Sequence, residues 1–501
     1  MLREDEMRGS GILLPIASLP SRYGIGCFSK EAYEFVDQLK EAGQKFWQIL
    51  PLGPTGYGDS PYQSFSTFAG NPYFIDLQSL IEEGYLTMEE CDACDFGADS
   101  QCIDYGLIYQ SRFKVLRIAY ERWRNEKKDS DKEYVSFKEA SKEWLPDYAL
   151  YMAVKASFGG ASYKEWDDDI RLRNDEAMST YKMKYQGEVQ FFEFQQYMFF
   201  KQWKKLKTYA NEQGIKIIGD IPIYVAYDSA DSWANPKLFQ FDENNTPVAV
   251  AGCPPDAFAA TGQLWGNPLY DWEYHKRTGY DWWIRRIKHC FQLYDVVRVD
   301  HFRGFDEYYA IPYGEATAEN GVWVKGPGYE IFRVMEERLG KLNIIAEDLG
   351  FLTNSVMDLV RRTGYPGMKV LQFAFDSRET SDYLPHNYEK NCIVYTGTHD
   401  NDTVQGWFHT ICEQDRKYAM EYINVHEDEV EDINWAFIRL AMSCVANLCI
   451  IPMQDYLGLG KDARINMPST LGQNWTWRMT KEEFTEEIRQ KIKKMTKLYA
   501  R

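Results

Sequence analysis

Eight short, nearly continuous apolar runs, separated along much of the chain by segments of helical period, constrain the fold of these 501 residues more than any other feature. The runs are 11–16 (GILLPI), 46–50 (FWQIL), 215–221 (IKIIGDI), 296–300 (VVRVD), 343–347 (NIIAE), 369–373 (KVLQF), 392–395 (CIVY) and 449–452 (CIIP). Several of them lack polar alternation, as strands buried on both faces require. The segments 30–42, 191–213, 280–293, 329–339 and 353–362 repeat apolar residues at spacings of three and four, as amphipathic helices do. Eight strands alternating with helices predict an α/β fold, a closed (β/α)8 TIM barrel rather than an open sheet.

The spacing of the runs is uneven. Strands four to eight follow at intervals near those of simple βα units. By contrast, 164 residues (51–214) separate the second and third strands, and 74 (222–295) separate the third and fourth. Connections at the C-terminal ends of barrel strands build the active site of such folds, so long ones there predict the walls of a cleft. The expected organisation is a single catalytic barrel over 1–501, with inserted subdomains at 53–190 and 222–280. Past the eighth strand, one basic helical segment at 481–497 leaves too little chain for a C-terminal β-sandwich.

Composition narrows the function classes. The chain has 57 basic against 75 acidic side chains, a net charge of −18 that repels phosphate backbones and anionic lipid. No nucleic acid and no membrane is therefore expected as a partner. The most apolar stretch, 438–453, is interrupted by Arg439, Ser443 and Asn447 and falls short of the roughly 20 apolar residues of a membrane helix. The opening MLREDEM carries acids where a secretory leader would be basic and apolar, which points to a cytoplasmic protein. Ten cysteines in a chain this long fit a reducing compartment. Cys91 and Cys94 have CxxC spacing, but no second pair or histidine pair follows, so no metal role is assigned to them. Cofactor signatures are missing too: Gly24 and Gly26 lack the third glycine of a dinucleotide fingerprint, and Gly458 to Lys461 lack the spacing of a phosphate loop. No G-x-S-x-G nucleophile elbow occurs.

Acids do occur at the ends of several strands. The fourth ends in Arg298, Asp300 and His301, the fifth in Glu347 and Asp348, and a run after the seventh holds His399, Asp400 and Asp402. Asp220 closes the third. Arg298 and Asp300 share a strand face by the period of two, so the guanidinium can hold the carboxylate ionised and aimed. Singly, each acid is also explained as a helix cap or turn residue. Asp300, His301, His399 and Asp400 could in principle cage a metal, without any recognisable ligand spacing to support it. Together, acids from three strands around one rim suit glycosidic chemistry, in which one carboxylate attacks and one protonated acid serves the leaving oxygen. Trp, Tyr and Phe make up 16% of the residues. The loops 54–62 (PTGYGDSPY) and 254–272 (PPDAFAATGQLWGNPLYDW) mix rings with polar residues, which is what binding a neutral sugar requires.

With RGSGILLPIASLPSRYGIG, PLGPTGYGDSPYQSFSTFAGNPYFIDL, PPDAFAATGQLWGNPLYDW, VVRVDHFRG, IIAEDLG, THDN, NMPST and NWTWR in that order, the sequence resembles the 4-α-glucanotransferases of the amylomaltase or disproportionating-enzyme type, glycoside hydrolase family 77, over nearly its whole length. The resemblance implies retaining transfer of α-1,4-glucan segments among maltooligosaccharides, glucose and longer glucans, with no cofactor and no metal. It makes Asp300 the nucleophile, Glu347 the general acid/base and Asp400 the transition-state stabiliser. Arg298 and His399 would assist these acids, and Asp220, Ser60, Tyr62, Phe258, Gln263, Trp265, His301 and Asn466 would contact the sugars. Tyr57 would belong to a rim that guides longer chains. Where some relatives carry two adjacent aromatics, this chain has Ala257 and Phe258, so a paired aromatic grip on long glucans does not carry over. The same acids could pass the sugar to water, as in α-amylase-type hydrolases. A monomer and a homodimer are both compatible with the sequence.

Overall fold

The computed structural model describes residues 8–56, 58–255, 259–350 and 352–501. Eight parallel strands form the barrel, in chain order Gly9–Leu13, Phe46–Gln48, Lys216–Pro222, Val296–Asp300, Ile344–Ala346, Gly367–Val370, Cys392–Tyr395 and Leu448–Pro452. Apart from the fifth, each of the first seven pairs with its successor, and the first pairs with the eighth. The fifth and sixth meet through single bonds: Ala346 N–H donates to the Pro366 carbonyl at 3.0 Å, and the Asp348 carboxylate accepts from Met368 N–H at 2.7 Å.

Two strands are displaced from the sequence-based expectation by two or more residues at each end. The first strand is Gly9–Leu13 rather than 11–16, because Pro15 offers no N–H to a ladder and Gly9 and Gly11 carry no apolar side chain to mark its start. Gly11 has no room for more: a Cβ there would lie 2.5 Å from the Phe46 carbonyl oxygen. The sixth is Gly367–Val370 rather than 369–373, since Leu371–Phe373 tightens into a 3-10 turn at the barrel mouth.

Side chains alternate in and out along each strand, and this period arranges the interior in layers. Phe46, Ile218, Val296, Ile345, Met368, Ile393 and Leu448 belong to one buried apolar cluster. Two residues further along three of these strands stand Asp220, Arg298 and Glu347. The apolar floor thus passes directly into a polar mouth. Outside, amphipathic helices such as Lys30–Glu41, Asp281–Leu293 and Tyr329–Leu339 bury one stripe each, for example Ala32, Phe35, Val36 and Leu39 in the first.

The long second connection is helical, led by Tyr105–Asn125, Leu145–Ser157 and Gln186–Glu212. The last begins five residues before the expected 191. The third connection contributes Ala249–Cys253 and Gln263–Pro268 to a four-stranded antiparallel sheet. Its other two strands, Glu307–Pro312 and Val322–Lys325, come from the fourth connection. Sequence spacing concealed that third insertion, because 301–343 has the length of an ordinary loop and helix.

At the opposite end of the barrel, Arg501 inserts its guanidinium among main-chain carbonyls. It donates to Met442 at 2.8 Å, Ala446 at 3.0 Å, Gly9 at 3.1 Å, and Ala441 and Cys444 at 3.2 Å. Arg501→Ala removes these bonds while Arg8 still reaches the Cys444 and Ala446 carbonyls, and the expected loss is about 3 kcal/mol in urea unfolding, with unchanged turnover at 25 °C.

Candidate active site

The fourth strand supplies the centre of the polar mouth. Arg298, 3% exposed, reaches Asp220 Oδ2 with Nη1 at 2.6 Å and Asp300 Oδ1 with Nη2 at 3.0 Å. One planar fork thereby fixes two carboxylates from adjacent strands. Asp300 keeps 30% of its side chain exposed toward the cleft, whereas Asp220 has none. Asp220 was expected to contact sugar; with no exposed surface, it acts through Arg298 and through the Tyr62 hydroxyl, which donates to it at 2.9 Å.

Glu347 directly follows the fifth strand. Its Oε2 accepts from His301 N–H at 2.6 Å and its Oε1 from Leu349 N–H at 2.8 Å. The first bond depends on His301 adopting a left-handed conformation, φ 52°, which turns the chain sharply after Asp300 and aims that N–H back across the mouth. Burial, then the neighbouring Asp300 charge, raise the Glu347 pKa against the opposing pull of Arg298 and the two N–H donors. Burial raises Asp300 as well, and Arg298 opposes it most strongly. Like charges in one buried site disfavour ionising both carboxyls, and the direct Arg298 contact favours the charged form of Asp300 over that of Glu347.

The loop after the seventh strand supplies Asp400. Burial alone would raise its pKa, but His399, with Nε2 3.3 Å from Oδ2, and Asn466, donating to Oδ1 at 2.6 Å, bring it down to about 2. His399 is raised in turn, its burial outweighed by Asp400. The Tyr62 ring stacks on the His399 ring at 5.1 Å and 17°, with its hydroxyl 3.5 Å from Nδ1. A continuous chain of contacts therefore runs from Asp300 through Arg298, Asp220, Tyr62 and His399 to Asp400. Asp402, the second acid of this run, is a turn residue whose carboxylate accepts from Thr403 N–H at 2.8 Å.

Around this centre, Trp265 meets the His301 ring edge-on at 4.8 Å and donates its indole N–H to Gln263 at 3.1 Å. Burial holds His301 neutral, at about 3, and its buried Nε2 has no protein partner among the described residues. Such an atom is available to a ligand hydroxyl. Ser60 shapes the turn under Tyr62, accepting from Tyr62 N–H at 3.3 Å. Tyr57 and Phe258 lie outside the described residues.

Three contributors escaped the sequence reading. Trp475 packs 5.9 Å from both Tyr62 and His399. Arg464 donates to the Asp400 carbonyl at 2.6 Å, and Tyr224 lies 6.4 Å from both Trp265 and His301. The NWTWR segment, quoted above only as a motif, was the available signal for Trp475. No group of three His, Cys, Asp or Glu side chains among the described residues could hold a metal ion. What the centre can do is acid–base and nucleophilic chemistry with three carboxyl groups whose pKa values are shifted in different directions.

A family model described as 4-alpha-glucanotransferase matches residues 14–484. The 4-alpha-glucanotransferase of Clostridium butyricum is 52% identical over 488 residues, covering 97% of this chain and 99% of that protein. The 4-alpha-glucanotransferase of Thermus thermophilus is 45% identical over 494 residues, covering 97% and 98%. Among solved structures, the amylomaltase from Streptococcus agalactiae in complex with acarbose superposes with a TM-score of 0.96 at 43% identity over 99% of both chains. The amylomaltase from Corynebacterium glutamicum, at 18% identity and a TM-score of 0.79 over 98% of this chain and 76% of that one, shares the fold.

Proposed function

The chain belongs to the 4-alpha-glucanotransferase family, and on that premise we propose that it transfers a segment of an α-1,4-glucan from a donor maltooligosaccharide to the 4-hydroxyl of glucose or another glucan by retaining double displacement. Asp300 attacks the anomeric carbon while Glu347 passes its proton to the glycosidic oxygen. The bond from that carbon to the leaving oxygen breaks, and a glycosyl ester forms on Asp300. The acceptor's 4-hydroxyl then gives its proton to Glu347 and displaces Asp300, which restores the original configuration. Asp400, kept ionised by His399 and Asn466, opposes the positive charge that develops on the ring in both steps.

The observation that carries this reading is the unequal surroundings of the three acids. Arg298 contacts Asp300 directly and favours its charged form, burial raises Glu347 toward its protonated form, and His399 and Asn466 favour the charged form of Asp400. His301, Trp265, Gln263 and Tyr62 offer ring faces and polar atoms of the kind a pyranose needs at the same mouth. In this reading the segments 53–190 and 222–280 act as subdomains that wall the cleft and screen the glycosyl ester from water. A cytoplasmic site of action fits all ten cysteines being free thiols, and no described helix is long and apolar enough to cross a membrane.

Incubation with maltotriose, with products resolved by size, tests the reaction. Transfer yields glucose and longer oligosaccharides at a constant number of reducing ends. A rising number would identify a hydrolase instead.

A further inference from the structure

We propose that Asp455, just past the eighth strand, is a positioning residue for the transferase reaction because it holds both ends of the loop that presents His399 and Asp400. The inference rests on the reading of Asp400 given above. Asp455 is 1% exposed. Its Oδ2 accepts from the Thr396 hydroxyl at 2.5 Å and its Oδ1 from Val404 N–H at 2.7 Å. Those two donors bracket the loop, and among the described residues no other side chain is seen bonding to both. Asp455 is itself anchored, since its carbonyl accepts from the Asn434 amide at 2.8 Å.

On the cleft side the loop is packed by Tyr62 and Trp475 against His399. Its other side faces a small pocket lined by Leu13, Gln454, Asp455 and Arg464 together with the loop's own Thr398, His399, Asn401, Asp402 and Thr403. Where side chains do not fill the space behind a segment, hydrogen bonds contribute more to its position. On the cleft side Arg464 and Asn466 hold Asp400. Asp455 is the counterpart at the loop's base, linking the seventh and eighth strands at the depth where the loop leaves the barrel.

The test compares Asp455→Ala, Asp455→Asn and Thr396→Val with the parent enzyme and with Asp400→Asn, in maltotriose disproportionation. Folding is checked by circular dichroism and thermal melting. A displacement of about 1 Å in a group that acts in the transition state lowers kcat by roughly 100-fold, so that loss is expected for Asp455→Ala, with KM changed by less than about threefold. Asp455→Asn can still accept from Val404 N–H and donate to the Thr396 oxygen, and should recover kcat to within about tenfold of the parent. Thr396→Val removes one tie without altering Asp455, should lower kcat by about tenfold, and decides the matter should Asp455→Ala not fold. Parental kcat in folded Asp455→Ala or Thr396→Val, or a rise in KM at unchanged kcat, would overturn the proposal. If Asp400→Asn itself keeps full turnover, the assignment of Asp400 fails instead, and the two failures are thereby distinguished.

Discussion

Glu347→Gln is expected to lower kcat for maltotriose by about 10³-fold while leaving the enzyme folded. The amide has the size of the acid but carries no transferable proton, so the glycosidic oxygen must leave unprotonated. One oxygen of Glu347 accepts from His301 N–H and the other from Leu349 N–H, and an amide can satisfy only one of these donors. A stability loss of about 1–2 kcal/mol should accompany the kinetic effect. The pH profile identifies the role. In the parent enzyme, the rate falls on the acid side as Asp300 takes up a proton and on the alkaline side as Glu347 loses its own. Burial and the Asp300 charge displace that alkaline limb above the ordinary glutamate range. Glu347→Gln should abolish the limb. It should also retain glycosylation by α-maltosyl fluoride, whose leaving group needs no proton. Equal loss with both donors would contradict the assignment.

Arg298→Ala is expected to damage stability and activity together. Arg298 is the shared counter-charge of Asp220 and Asp300, and its removal leaves two carboxyls facing each other in a buried site. Breaking a buried ion pair by deleting one partner costs about 3–5 kcal/mol. Without the guanidinium, which is the main influence lowering it, the Asp300 carboxyl should titrate still further above its unfolded-state value. The variant then binds protons on folding, and its stability deficit should shrink as pH falls and grow as pH rises. Urea unfolding at pH 5 and pH 8 measures this directly. In kinetics the acid limb should move to higher pH, because Asp300 now holds its proton longer, with kcat at neutral pH lowered by roughly 100-fold. Arg298→Lys should rescue little, since one ammonium cannot reproduce two fixed hydrogen bonds to different strands. A variant with parental stability and an unmoved acid limb would show that Arg298 does not control Asp300.

The features legible in the sequence were those set by local period. Strand alternation put Arg298 and Asp300 on one face, and the structure places them 3.0 Å apart. Apolar runs marked all eight strands, and the acids at their ends marked the mouth, because burial on two faces imposes a composition that any single strand displays by itself. Features made by contacts between distant segments were not legible. Asp220 had the same local signature as Asp300, a carboxylate near a strand end, yet its fully buried position under Tyr62 depends on a loop more than 150 residues earlier in the chain. The left-handed turn at His301, the antiparallel sheet shared by the third and fourth connections and the Asp455 ties likewise have no single-segment signal. Trp475 was visible only as part of a motif, since an aromatic residue reads alike whether it packs in a core or faces a ligand.

The central claim is that Asp300 becomes covalently bonded to the sugar. In Glu347→Gln, α-maltosyl fluoride should glycosylate Asp300 and then stall, because the base that activates the acceptor is missing. Acid quenching, proteolysis and mass spectrometry should find one maltosyl unit on the peptide carrying Asp300, lost on mild alkaline treatment as an ester would be. A maltosyl unit on any other residue, or release of a product of inverted configuration with no labelled peptide, would contradict the account.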